Sequence, residues 1–178
     1  MPQDNLLALF ALCVGTLFTP GPNNAMLAAS GATFGFRRTL PHMLGVAVGF
    51  PAMLLIVGLA LGGLFQTSAL LREGLRWGGV ALLLWIAFKI AMADPSQPDR
   101  AVPRPMRFSE AAAFQWVNPK AWSMAIAATS QFILPSAPLV TAIVVAAAFL
   151  SLGLLSSATW NGAGQMIGRF LTSPFRRR

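Results

Sequence analysis

Long stretches without a formal charge constrain this chain more than any other feature. No Asp, Glu, Lys or Arg occurs between Asp4 and Arg37, between Arg38 and Arg72, or from Ala121 to Gly168. The last run alone has 48 residues. A helix needs about 20 apolar residues to cross a bilayer, so each run holds at least one crossing and the last must turn back. Composition agrees: 56% of the 178 residues are hydrophobic and 10% are charged, against roughly 25% charged in a soluble domain. These values exclude a soluble enzyme, a disordered tail and a disulfide-stapled secreted domain. One cysteine, Cys13, excludes an internal disulfide and a multi-cysteine metal site. No cofactor is called for, and the length leaves room for five or six helices with short loops.

Punctuation within the runs places the helices. The first span lies within Asn5–Phe34, interrupted by Thr19-Pro20-Gly21-Pro22-Asn23-Asn24. The second covers about Leu40–Phe65 and the third about Leu75–Ala93, with Lys89 near enough to its end to snorkel. Pro95, Pro98, Pro103 and Pro105 make residues 95–108 a linker that cannot continue a helix. A fourth span starts near Ser109-Glu110 and ends around Leu134, and Pro135 and Pro138 bracket a turn before a fifth, about Leu139–Ile167. The chain is expected to be a single integral membrane domain, all-α and polytopic, with five transmembrane helices. Residues 1–94 form one three-helix repeat, and residues 109–178 belong to a second. The start of the chain has Asp4 and no basic n-region, so its first span is expected to stay uncleaved.

The net charge of +8 would suggest nucleic acid in a soluble protein. Here the basic residues sit between apolar runs and not on a polar face. Arg37 and Arg38, Lys89 with Arg100, Arg104 and Arg107, and Arg169 with Arg176, Arg177 and Arg178 fall on one side of the membrane. Only Arg72 and Arg76 fall on the other. That bias places the linker and tail in the cytoplasm and the N-terminus outside.

Spans 1 and 4 both carry helix-breaking polar motifs deep in apolar sequence. The second motif is Gln115-Trp116-Val117-Asn118-Pro119-Lys120-Ala121-Trp122. Each motif lies in the first span of its half, and the two spans run in opposite directions. Matching interruptions of this kind mark an inverted repeat, and they point to a transporter's central site. Proline suits the first position of a helix and asparagine its N-cap, so Asn118-Pro119 and Gly21-Pro22 each read as the start of a half-helix. Such starts present free N–H groups and a positive dipole end, and Lys120 adds a full charge. Together they suit a carboxylate, with Asn23, Asn24 and Gln115 as directional hydrogen-bonding groups.

Plainer readings stand beside these. A single proline kink is ordinary in a membrane helix, and two at equivalent inverted positions are not. Lys120 reads as a substrate partner before it reads as a neutraliser of a helix end or a lipid phosphate. His42 reads as an interfacial residue before it reads as a proton relay, and Cys13 reads as packed apolar volume. Trp116 and Trp122 suit packing or a substrate wall. Of the small-residue pairs, Gly45/Gly49 and Gly58/Gly62 lie deep enough in a span to let helix backbones approach. No HExxH or GxSxG occurs, and no catalytic residues are assigned. A channel or accessory subunit whose broken helices only shape packing is the rival to a transporter.

The two motifs, with the turn Gly35-Phe36-Arg37-Arg38 and Gly45/Gly49, resemble the LysE/RhtB family of bacterial amino-acid exporters over about residues 5–170. The resemblance implies efflux of amino acids or their derivatives across the bacterial inner membrane, driven by the proton-motive force. Its motif positions fall on Pro20, Gly21, Pro22, Asn23, Asn118, Pro119 and Lys120. The partners implied are a small amino-acid substrate and the lipid bilayer, with a homodimer allowed and no nucleic acid. The resemblance also implies a 3+3 inverted repeat with a sixth span after the basic turn, beyond the five read here. Relatives often carry a carboxylate in the fifth span, where this chain has Thr159, Trp160 and Asn161. Proton coupling therefore falls to His42, to Glu110 or to the substrate itself.

Overall fold

The computed structural model describes residues 3–60 and 104–172, all helix and connecting turns. Helix α1 (Gln3–Leu17) and helix α2 (Pro22–Phe34) are the two halves of the first expected span, bent by 56° at their break. Helix α3 (Leu40–Ala60) contains an internal proline, Pro51. Helix α4 (Phe108–Phe114), a 3₁₀ turn at Gln115–Val117 and helix α5 (Pro119–Phe132) make up the fourth expected span. Helix α6 (Pro138–Thr172) has 35 residues, roughly 50 Å at 1.5 Å per residue. That exceeds a hydrocarbon core of about 30 Å, so α6 tilts or emerges. The expected third span, most of the linker and the terminal arginines lie outside the described residues.

Burial runs opposite to a soluble fold. Leu7 on α1 is 70% exposed and Met166 on α6 is 73% exposed, whereas Gln115, Asn161 and Thr39 are fully buried. Large apolar side chains cover the outer faces while several polar ones are drawn into an otherwise apolar interior, the arrangement that a hydrocarbon solvent selects. Among the described residues, α3 and α6 are each long and apolar enough to cross, and the α1–α2 pair is so together. The 14-residue α5 does not reach across on its own.

Helix α6 is the hub, lying against α1, α2 and α3. The main core joins Leu9 and Cys13 of α1, Phe50, Met53 and Leu54 of α3, Met124 and Phe132 of α5, and Val145 and Phe149 of α6. Phe50 and Phe149 meet edge to face with centroids 5.1 Å apart. Cys13 is packed volume, as its sequence context indicates.

Glycine decides how closely the helices approach. A Cβ at Gly45 would collide with the Phe108 carbonyl, and one at Gly49 would lie 2.6 Å from Ala112 Cα. This pair therefore forms the α3–α4 seam. Gly164 and Gly168 form a second seam, where a Cβ would run into the Ala28 and Ala32 carbonyls of α2. The spacing marks this pair too, although its place near the end of a span ranks it below Gly45/Gly49 in the sequence. The turn from α2 to α3 needs Gly35 at φ +82°. It is pinned to α6, where Gln165 Oε1 accepts from Phe36 N–H at 2.6 Å and Asn161 Nδ2 donates to the Phe36 carbonyl at 3.2 Å.

A candidate substrate site at two helix breaks

The chain that leaves α1 at Leu17 re-enters a helix at Pro22, with Gly21 as an extended N-cap that carries no side-chain cap. The chain that leaves the 3₁₀ turn at Val117 re-enters at Pro119. Here Asn118 is the cap, its Oδ1 accepting from Lys120 N–H at 3.1 Å. Each proline falls at the first helical position, where its missing N–H costs no hydrogen bond. The helix starts were therefore legible from local chemistry. Their meeting is a tertiary fact.

Two side-chain bridges join the breaks. Asn23 Nδ2 donates to Gln115 Oε1 at 2.9 Å, and Gln115 Nε2 returns a bond to Asn23 Oδ1 at 3.3 Å and donates to Ala111 O at 2.9 Å. Lys120 Nζ donates to the Thr19 carbonyl at 2.7 Å and to Thr19 Oγ1 at 2.9 Å. The carbonyl end of α1 is a negative dipole end that attracts such a cation. The Lys120 stem crosses directly over Gly21, where a Cβ would sit 2.8 Å from Lys120 Cδ. Its backbone is ordinary extended chain, so a side chain there would act by pushing the Lys120 stem aside.

Gly21, Asn23, Asn24, Gln115, Asn118 and Lys120 all line one cavity between these breaks. Pro20, Pro22 and Pro119 shape the breaks without lining it. Asn24 has a narrower task than the motif suggests. Its Nδ2 donates to the Leu17 and Thr19 carbonyls, both at 2.8 Å, and so satisfies the end of α1. His42 and Glu110 lie elsewhere. His42 is 2% exposed, packed inside the protein near the start of α3. Glu110 is partly exposed, bonded to Arg104 through both oxygens and to Arg107 N–H at 2.8 Å.

The cavity measures about 40 Å³, room for a few waters and too small for an amino acid. Two positive helix ends, an ammonium and a pair of amides converge on it. That arrangement can hold a carboxylate while offering carbonyl oxygens to a cation. Among the described residues, no cluster of His, Cys, Asp or Glu could hold a metal ion.

Residues 14–177 match the family model described as LysE type translocator. The chain belongs to the LysE type translocator family. It is 32% identical over 166 residues to the cysteine/O-acetylserine efflux protein of Salmonella typhimurium (strain LT2), covering 92% of this chain and 84% of that one. The protein of the same name from Escherichia coli (strain K12) is 31% identical over 174 residues, 95% of this chain and 87% of that one. No solved structure matches. Family membership and the outward-facing apolar helices make the chain a multi-pass inner-membrane protein.

The translocator's cavity has walls that motif reading did not select. Thr16, in the last turn of α1, is one of them, and Ser156 Oγ donates to the Leu17 carbonyl at 2.8 Å from α6. Ser156 and Ser157 are adjacent buried hydroxyls in an apolar run, a signal available in the sequence. Pro51 lines the same cavity and has no N–H to give the Ala47 carbonyl beside it. A proline at the centre of an uncharged span was the sign of it.

Proposed function

We propose that this translocator exports a small amino acid, of the cysteine or O-acetylserine class, by alternating access. The observation that carries this reading is the convergence of two half-helix starts and Lys120 on one interior cavity. The substrate carboxylate binds between the N-termini of α2 and α5 and pairs with Lys120, as half-helix sites in transporters do. Thr19 holds the Lys120 ammonium while the site is empty. The relatives' names support the substrate class, both being cysteine/O-acetylserine efflux proteins.

The breaks belong to the first spans of two repeats of opposite direction, in a 3+3 architecture with the N-terminus in the periplasm. Residues 1–94 and 109–178 contribute to the two repeats. Efflux is driven by the proton-motive force, with His42 the favoured carrier. It is buried and its Nδ1 has no partner, whereas the Glu110 oxygens are already bonded. A homodimer is compatible with the exposed apolar faces.

Counterflow in proteoliposomes tests the reading. Vesicles loaded with O-acetyl-L-serine should accumulate labelled O-acetyl-L-serine above equilibrium, and a pH gradient should change the rate. Downhill equilibration alone, indifferent to the gradient, would favour a channel-like subunit instead.

A further inference from the structure

The α3 and α6 walls of the central cavity carry polar atoms that neither the helix breaks nor Lys120 uses. Pro51 has no N–H, so the carbonyl one turn earlier on α3, that of Ala47, lacks its helix donor. Ala47 is 2% exposed and lines the cavity beside Pro51. Buried carbonyls are nearly always paired, and no described side chain donates to this one. Across from it stands Gly153 of α6, where a Cβ would lie 4.0 Å from the Ala47 oxygen with nothing nearer. Glycines at positions 45, 49, 164 and 168 face backbone that a methyl would strike, whereas Gly153 leaves open space in front of a carbonyl.

Ser157 lies one turn beyond Gly153 on the same face of α6. The hydroxyls of Thr141, Ser151 and Thr159 on this helix return to the carbonyl four residues back, and Ser156 reaches the Leu17 carbonyl. Ser157 is 4% exposed, lines the cavity, and its hydroxyl has no hydrogen bond among the described residues. Other acceptors on the cavity walls are committed. Gln115 Oε1 takes the Asn23 amide, Asn118 Oδ1 takes Lys120 N–H, and the Leu17 carbonyl takes Asn24 and Ser156.

We propose that the Ala47 carbonyl and the Ser157 hydroxyl oxygen form the subsite for the substrate's α-ammonium. The assignment rests on the exporter reading and adds the second half of a zwitterion site to it. An ammonium carries three donors and no acceptor, so the helix starts and Lys120, which hold the carboxylate, repel it. The Ser157 proton can turn to the Gly153 carbonyl, leaving the oxygen lone pairs to the ligand. An ammonium is the size of a water, which a cavity of about 40 Å³ admits. The subsite therefore selects acids with a free amino group over the same acids without one.

The test is competition against counterflow of labelled O-acetyl-L-serine in proteoliposomes of the full-length protein. The competitors are unlabelled O-acetyl-L-serine and 3-acetoxypropionate, the same acid without its amino group. The wild type should prefer the amino acid about tenfold or more, the worth of hydrogen bonds to a charged group. Pro51→Ala returns an N–H to the Ala47 carbonyl and should cut that preference to about twofold, by weakening the amino acid alone. Gly153→Ala places a methyl in front of the same carbonyl and should do likewise, so the result does not hang on how α3 tolerates the loss of its proline. Ser157→Ala should lower the preference about threefold. Where a variant no longer exchanges, the rise in its unfolding temperature with each ligand reads the same ratio. Equal loss of affinity for both competitors would show that Pro51 and Gly153 only shape the helices, and would overturn the subsite. An unchanged preference in both variants would overturn it too, and would give the ammonium to the Thr19 carbonyl. Either result leaves wild-type counterflow, and with it the exporter reading, standing. A wild type without counterflow would overturn that reading and the subsite together.

Discussion

The two breaks look alike in sequence and do different work. The first divides its span into helices of 15 and 13 residues, uses a glycine cap with no side chain, and leaves the carbonyl end of α1 to be satisfied from outside. Its donors are Asn24, Ser156 and Lys120. The second break follows a seven-residue helix and a 3₁₀ turn, carries its own cap in Asn118, and sends Gln115 and Lys120 across to the first. Lys120 gives in one direction only, whereas the Asn23–Gln115 bridge is exchanged in both. A pair of similar motifs can therefore form one site without being chemically symmetric.

Substitutions at the two breaks test that asymmetry. Lys120→Ala should have the largest effect, reducing counterflow to background while the protein still inserts and elutes as a single species. Asn118→Ala should also abolish efflux, and normal efflux from both variants would overturn the site assignment. Next comes Gly21→Ala, whose new methyl would displace the Lys120 stem from its path to Thr19. A loss of roughly tenfold in efflux is expected, the low end of what a hydrogen bond to a charged group is worth. Unchanged efflux would show that the Lys120–Thr19 contact is dispensable.

Stability should follow the opposite order from transport. Asn24→Ala strips a donor from two helix-end carbonyls and should cost about 1–3 kcal/mol. Asn118→Ala removes one cap, typically about 1 kcal/mol. Thermal unfolding in detergent would compare them, and a less stable Asn118→Ala would reverse the roles assigned to the breaks. A double-mutant cycle between Asn23→Leu and Gln115→Leu should give a coupling of about 1 kcal/mol, since each amide alone would leave the other unpaired. Additive effects would mean the bridge contributes nothing. The smallest effect is expected from Glu110→Gln, which should retain efflux and its response to a pH gradient. Loss of that response would move the proton carrier from His42 to Glu110.

Much of the architecture was legible because membrane helices announce themselves by the absence of charge. Proline and asparagine mark helix restarts by local backbone chemistry, and both restarts fall where those residues stand. Lys120 was legible as an intramembrane charge in need of a partner. The partner was not, because Thr19 is 101 residues away and nothing local connects them. Asn24 shows the same limit in reverse. Its amide can equally serve a substrate or a helix end, and only the position of the α1 carbonyls decides. Ser156 and Pro51 were visible as residues out of character with their spans, but their convergence on one cavity was not.

By itself, then, the sequence determined the solvent, the helices and the places where they break, because hydrophobic run length and backbone capping act over a few turns. Only the tertiary structure decided that the Asn23 and Gln115 amides pair, that Lys120 rests on Thr19, and that His42 is buried. Those outcomes depend on how closely helices can approach. Glycines at positions 45, 49, 164 and 168 set that distance through contacts between backbones far apart in the chain.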